Sequence, residues 1–195
     1  QSAGSATGGQ IYMSAGTSAG QTGGRILIRS GVSTSQTSGA IGIVTAGSGT
    51  AGASGYLVMS TGVGTKGNSG AMFIGTGNSV TGRGGDISLR VGSGNTGNGG
   101  SFSIAAGETT AASGTGGGVT ITTGSSTQTS SGNLVMTTAA GGSPGGVSGL
   151  IILSTGAATQ SGSGDSGAVW IGSGNSAGGK GGDVRIGVGN DAIES

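Results

Sequence analysis

Residues able to do acid–base, nucleophilic or metal chemistry are few in this sequence. The chain of 195 residues has no Cys and no His, and it has six acidic and seven basic residues. Without thiols or imidazoles, thiolate zinc sites, disulfides and Ser–His or Cys–His catalysis are excluded. The acids are not clustered, as the paired carboxylates of a glycoside hydrolase would be. The sequence therefore predicts no enzyme, no catalytic residue, no metal site and no cofactor.

Glycine-rich stretches such as GSGNTGNGG, residues 92–100, suggest two kinds of binding site. A phosphate-binding G-x-G-x-x-G loop follows a strand and opens a helix, and no helical pattern follows here. Calcium-binding nonapeptide repeats need an Asp in most turns, and that Asp is almost always missing. Asp86 and Asp183 each follow a Gly-Gly pair, with Arg83 or Lys180 three residues earlier. We expect local ion pairs at these two places.

The charged residues also limit the choice of partners. The seven basic residues are scattered among six acids, for a net charge of +1, so no basic stripe for nucleic acid is predicted. No segment approaches the roughly 18 consecutive apolar residues of a membrane helix, so no membrane insertion is expected. The sequence begins at Gln1 without a visible signal peptide, and we expect a processed product or a segment of a longer chain.

A short repeat runs along the whole chain. Its unit is [Ser/Gly]-Gly-x-Φ-x-Φ-x-x-Gly, where Φ is a large apolar residue, and twelve copies follow one another at spacings of 15 to 18 residues. Residues 69–92 and 166–189 align without gaps and are identical at 14 of 24 positions, at an offset of 97 residues. The repeats therefore predict two six-repeat cassettes, 1–98 and 99–195.

The two Φ residues of each repeat, called here the apolar pair, alternate with other residues as in a half-buried strand. The 52 glycines alone would suggest a disordered chain, but the low net charge and the regular apolar pairs argue against disorder. Since one repeat cannot bury its apolar face, copies must stack. The sequence thus predicts an all-β fold, a parallel β-solenoid of twelve 15–18-residue strand–loop repeats. The apolar pairs are Ile11/Met13, Ile26/Ile28, Ile41/Ile43, Leu57/Met59, Met72/Ile74, Ile87/Leu89, Phe102/Ile104, Val119/Ile121, Leu134/Met136, Ile151/Leu153, Val169/Ile171 and Val184/Ile186.

Two arrangements of such a solenoid stay open. One repeat could form one rung, or two repeats could form a rung of about 30 residues whose two sheets face each other. We favour the second, because the loops hold almost nothing apolar. In either case the connecting glycines are expected at turns with φ above zero. The Thr or Ser before many closing glycines is expected to form ladders between rungs.

The positions beside the apolar pairs point outward in this arrangement. In the fourth and fifth repeats of each cassette several are large and apolar, which indicates lateral contact with another copy. We call this predicted set the assembly surface. It consists of Tyr56, Val58, Phe73, Leu150, Ile152 and Trp170.

The SGxΦxΦxxG units and GSGNTGNGG-type loops resemble the Gly/Ser/Thr-rich tandem-repeat proteins of diatoms and related marine algae. That resemblance implies a secreted or cell-surface location and a structural role. We expect a subunit or repeat segment of an extracellular filament, surface hair or matrix fibre. It would assemble with itself through stacked β-rungs and lateral apolar patches, and its Ser and Thr residues would permit O-linked glycans. The alternative is an ice-binding or surface-adhesive module. Against it, the series of Thr residues before the closing glycines is interrupted by other residues, and no outward Thr-x-Thr recurs.

Overall fold

The computed structural model describes residues 8–159 and 164–189. Within these residues there is no helix and no strand, only coil interrupted by short turns and bends. The predicted parallel β-solenoid is therefore wrong, as are the stacked β-rungs on which assembly was expected to depend. The two rung arrangements considered for the solenoid are therefore wrong as well.

The physical reason lies in how little strand each repeat offers. An apolar pair with its central residue is three residues long, whereas strands in proteins usually have about five or six. Glycines lie on both sides of the pair, and glycine weakens a strand because it loses more conformational entropy and has no side chain to pack. The alternating sequence therefore places successive side chains on opposite faces, as in a strand, without the backbone hydrogen bonds of a sheet.

The chain divides into two structural units, Gln1–Gly92 and Ser93–Ser195. Each unit holds six of the twelve repeats. The division of the repeats into cassettes 1–98 and 99–195 rests on sequence similarity and stays a prediction about the repeat pattern.

No side chain in the described part is buried, so the predicted apolar interior is also wrong. The accessible surface of the chain is 19459 Å². A compact protein of its mass, 17.7 kDa, exposes about 8,000 Å². Residues 8–159 and 164–189 contain no helix with the length and hydropathy needed to cross a membrane.

The two faces of the repeats nevertheless differ in exposure. Met72 and Val169, which begin their apolar pairs, are 46% and 49% exposed, while the neighbouring Phe73 and Trp170 are both 93% exposed. In six of the seven repeats with a large apolar residue between the pair, that residue is the most exposed of the three. The exception is Tyr12 of the first repeat. The alternation thus produces two faces, of which neither is covered.

This exposure predicts a shallow response of the single chain to denaturant. The urea dependence of the unfolding free energy scales with the surface exposed on unfolding, and is about 1–3 kcal/mol/M for small proteins. We expect a value well below that range and no cooperative transition when urea titration of a very dilute sample is followed by Trp170 fluorescence. A steep two-state transition in a demonstrated monomer would contradict the exposure described here.

Candidate functional site

The most regular local structure in this chain is the loop that joins one repeat to the next. Each loop starts at the closing residue of one repeat, which is glycine except at Ala46 and Ala139, and ends at the repeat glycine, the Gly that precedes x in the next repeat. Among the described residues, four loops are closed by a backbone hydrogen bond in which the repeat glycine donates its N–H to the carbonyl oxygen of the closing glycine. These bonds are Gly24 to Gly16 at 2.8 Å, Gly39 to Gly31 at 2.9 Å, Gly117 to Gly107 at 2.9 Å and Gly132 to Gly124 at 3.0 Å. The first and last residues of each of these loops therefore lie next to each other.

A side-chain contact accompanies this closure, and we call it the loop mouth. At the mouth, the repeat glycine lies against the residue just before the closing residue at the start of the loop. A Cβ added to Gly24 would lie 3.1 Å from the Cβ of Ala15, and one added to Gly85 would lie 3.2 Å from Cγ2 of Thr76. The Thr76 hydroxyl also donates a hydrogen bond to the Gly85 carbonyl oxygen at 3.2 Å. The mouths are Ala15/Gly24, Ser30/Gly39, Thr45/Gly55, Thr61/Gly70, Thr76/Gly85, Ala106/Gly117, Thr123/Gly132, Thr138/Gly149, Thr155/Gly167 and Ser173/Gly182.

The mouths contain most of the shielding that the described residues achieve. Among the described residues only four side chains are partly shielded from solvent, namely Ala15, Ser30, Ser33 and Thr123. Three of the four are mouth residues. The Thr and Ser residues expected to form ladders between rungs instead contact the glycine at the end of their own loop. The predicted ladders of Thr and Ser between rungs are therefore wrong.

A serine hydroxyl caps five of the loops from inside. In each, the serine two residues after the closing glycine accepts a hydrogen bond from the backbone N–H three residues further on. Such bonds satisfy a backbone donor in a turn, as they do at helix N-termini. The pairs are Gln21 to Ser18 at 3.0 Å, Gln36 to Ser33 at 2.8 Å, Gly82 to Ser79 at 2.9 Å, Thr129 to Ser126 at 2.9 Å and Gly179 to Ser176 at 2.9 Å.

Two other loops of the same length have glycine at the serine position, Gly64 and Gly94. A Cβ at Gly64 would collide with the carbonyl of Gly67 and would lie 3.0 Å from that of Asn68, so this loop is tighter than the serine-capped ones. In the other loop, Gly97 has φ of +71°. Among the described residues Gly145 is the only other residue with positive φ. The expectation that the connecting glycines generally serve positive φ is therefore wrong, and close approach at the mouth is their more frequent role.

The serine caps were missed by sequence reasoning, although a signal existed. All five serines lie six residues before the repeat glycine. The pattern Gly-x-Ser, aligned on the closing glycine, recurs in the loops with the shortest spacing. Abundant Ser elsewhere in the chain concealed this register.

One of the two expected ion pairs is present, and in the other the Asp has a different partner. Arg83 lies 3.2 Å from Asp86, as predicted. Asp183 pairs with Arg185 at 2.9 Å, and not with Lys180, so the predicted partner was wrong. Both pairs are well exposed and bridge neighbouring residues only, so they act locally.

The residues of the assembly surface are all exposed, three in each unit. Tyr56, Val58 and Phe73 belong to the first unit, and Leu150, Ile152 and Trp170 belong to the second. Because nearly every side chain described is exposed, exposure alone does not single them out, and their role stays a prediction. The described part forms no enclosed cavity and contains no group of three or more acidic residues able to hold a metal ion.

The mouth geometry predicts that glycine is required to different degrees in different loops. Gly24→Ala places a Cβ 3.0 Å from the backbone nitrogen of Gly16, so the mouth must open and its hydrogen bond must lengthen. Gly132→Ala is the matched control, because its mouth has the same hydrogen bond and its Cβ would lie 3.7 Å from the nearest atom, the Cβ of Thr123. Faster amide hydrogen exchange at residue 24, measured by NMR, should accompany the first substitution, with no comparable change at residue 132. Equal effects in both variants would contradict the mouth contact.

Comparison with protein-family models, with curated proteins and with solved structures gives no match to this chain. A function must therefore be inferred from the loops and the exposed apolar side chains themselves.

Proposed function

We propose that this chain is a structural component of an extracellular filament, surface hair or matrix fibre, which it builds by associating with further copies of itself. The observation that carries the proposal is the accessible surface of 19459 Å². It exceeds the surface of a compact protein of this mass by about 11,000 Å². Standard protein–protein interfaces bury about 1,600 Å² in total. The chain thus has several times the surface needed to associate with neighbours.

The nature of this surface supports association over catalysis. Large apolar side chains are exposed in all twelve repeats. Exposed apolar patches beyond a few hundred Å² mark interaction sites in soluble proteins, because covering them releases the water that surrounds them. A net charge of +1 places little electrostatic repulsion between copies. Another copy of the chain is therefore a suitable partner.

The assembly surface is the part of this apolar material that we expect to make lateral contacts. Phe73 and Trp170 occupy equivalent positions of the two cassettes and are equally exposed, at 93%. Aromatic side chains contribute more contact area than other residues and are enriched at interfaces. Repetition of an aromatic residue at the cassette period gives each chain two similar contact points. This bivalence is what an extended assembly needs.

The extracellular location rests on the resemblance of the repeats to the secreted algal proteins. O-linked glycans on Ser or Thr remain part of this proposal, because both residue types are abundant and exposed in the loops. The ice-binding alternative has less support, because the series of Thr residues before the closing glycines is interrupted and no outward Thr-x-Thr recurs in the sequence. A clear freezing hysteresis of the purified chain would favour that alternative.

The proposal predicts that the two aromatic residues contribute strongly to association. The double substitution Phe73→Ser and Trp170→Ser should weaken self-association at least tenfold, because each removed ring loses on the order of 2 kcal/mol of buried apolar surface. Sedimentation velocity over a concentration series measures the change, and electron microscopy shows whether fibres still form.

The matched control is the double substitution Tyr12→Ser and Leu27→Ser. These residues occupy the same position in the first two repeats and are also exposed, but they lie outside the assembly surface. We expect a smaller loss of association from the control. Equal losses would contradict the assembly surface while leaving self-association itself intact. A wild-type chain that stays monomeric at high concentration would contradict the proposed function.

A further inference from the structure

The five serine caps suggest how the apolar pairs are prepared for contact. We infer that Ser18, Ser33, Ser79, Ser126 and Ser176 are positioning residues that hold their loops closed before a second copy of the chain binds. They act through the loops and need not touch the second copy. This inference rests on the proposed function, because self-association is the event that closed loops would favour.

The link between cap and apolar pair runs through the mouth. Met13, which ends the first apolar pair, lies two residues before Ala15, and Ile26, which begins the next pair, lies two residues after Gly24. A closed mouth therefore sets the ends of two successive apolar pairs beside each other. The same two-residue offsets occur at the other four capped loops. An open mouth would leave the two pairs free to move separately.

Among the described loops whose end residues are eight positions apart, the mouth hydrogen bond is found only together with a serine cap, whereas the longer loop from Gly107 to Gly117 has the bond without one. Three loops whose closing and repeat glycines are eight residues apart have the mouth hydrogen bond, and all three have a capping serine, Ser18, Ser33 or Ser126. The loop with Gly64 in place of the serine has the same length but no such bond between its end glycines, both of which lie in the described part. The other two capped loops have the mouth contact between side chain and repeat glycine without this bond.

Exposure makes this local ordering necessary. Closing a flexible loop costs conformational entropy, and a single backbone hydrogen bond open to water contributes little net free energy. A hydroxyl that accepts an N–H inside the loop excludes many of its open conformations. Ordering the loop beforehand lowers the entropy that association must overcome, which is the general effect of preorganisation.

A second copy is the occupant we assign to the aligned apolar pairs. The pairs offer aliphatic side chains in a regular series, and the described part has no charged cluster that would select a nucleic acid or an acidic partner. The series of another copy has the same spacing, so many contacts can form in one register. The surplus accessible surface is large enough for this face and the assembly surface together.

The experiment compares three variants of the full chain. The first replaces all five capping serines by Ala, and the second replaces them by Thr, which keeps the hydroxyl. The third is a matched control in which five serines whose hydroxyls make no hydrogen bond in the described structure, Ser35, Ser93, Ser101, Ser125 and Ser130, are replaced by Ala. Amide temperature coefficients of residues 21, 36, 82, 129 and 179, measured by NMR in dilute samples, report the caps. Sedimentation velocity reports self-association.

We expect the Ala variant to lose the hydrogen-bonded signature at those five amides and to associate at least tenfold more weakly. Judged from helix N-caps, one cap changes the equilibrium constant for closing its loop by a factor of about five. The loss of five caps can therefore weaken association by more than tenfold. The Thr variant should restore both properties, and the control should resemble the wild type.

Unchanged association in an Ala variant that has lost its caps would overturn the inference and leave the proposed function standing. The inference also fails if the wild-type amides show no hydrogen-bonded signature, or if the control weakens association as much as the Ala variant. A wild-type chain that does not associate at all would overturn both proposals.

Discussion

The structure of this chain depends on the close approach of a glycine to a small side chain at each loop mouth. Within residues 8–159 and 164–189 the approach recurs ten times, five times in each unit, and the side chain is Ala, Ser or Thr each time. At the tightest mouths a Cβ on the glycine would lie within about 3 Å of its neighbour, so both a glycine and a small partner are needed there. Because the mouth joins the end of one repeat to the start of the next, it also fixes where each apolar pair begins. The spacing of the repeats is therefore a consequence of how their loops close.

This constraint explains why alternation is a poor guide to the fold. The apolar pairs do show two faces, as the contrast between Val169 and Trp170 demonstrates, but a face needs a partner before it becomes a core. The partner expected from the sequence was another repeat of the same chain. Three-residue apolar segments between glycines provide too few backbone groups for a ladder. In the described residues, the backbone hydrogen bonds that join successive repeats are those at the loop mouths. The high glycine content, which by itself suggests disorder, is the better indicator of coil.

The short-range contacts of the loops leave a clearer signal in the sequence than the fold does, although the serine caps were not predicted. The serine caps follow from an interaction only three residues long, and their register is visible once sequences are aligned on the closing glycine. The ion pair of Asp86 was predicted for the same reason, since Arg83 lies only three residues before it. Asp183 had two basic neighbours, Lys180 and Arg185, and spacing alone did not decide between them. The mouth contacts could not be read from the sequence, because they join residues nine to twelve positions apart through the path of the intervening loop.

Local closure and missing burial together point to a division of roles within each repeat. A loop closed by hydrogen bonds over eight residues needs nothing from distant parts of the chain, so it can form in any number of consecutive repeats. The apolar pairs gain free energy only when they leave water, and the single chain does not remove them from it. In ordinary repeat proteins both roles are served within one molecule, since neighbouring repeats bury each other. In the proposed assembly the second role falls to contacts between molecules, so the stability of the apolar pairs should depend on protein concentration. A chain that orders its loops by itself, and that in the proposed assembly covers its apolar side chains only against other copies, is suited to building an extended material.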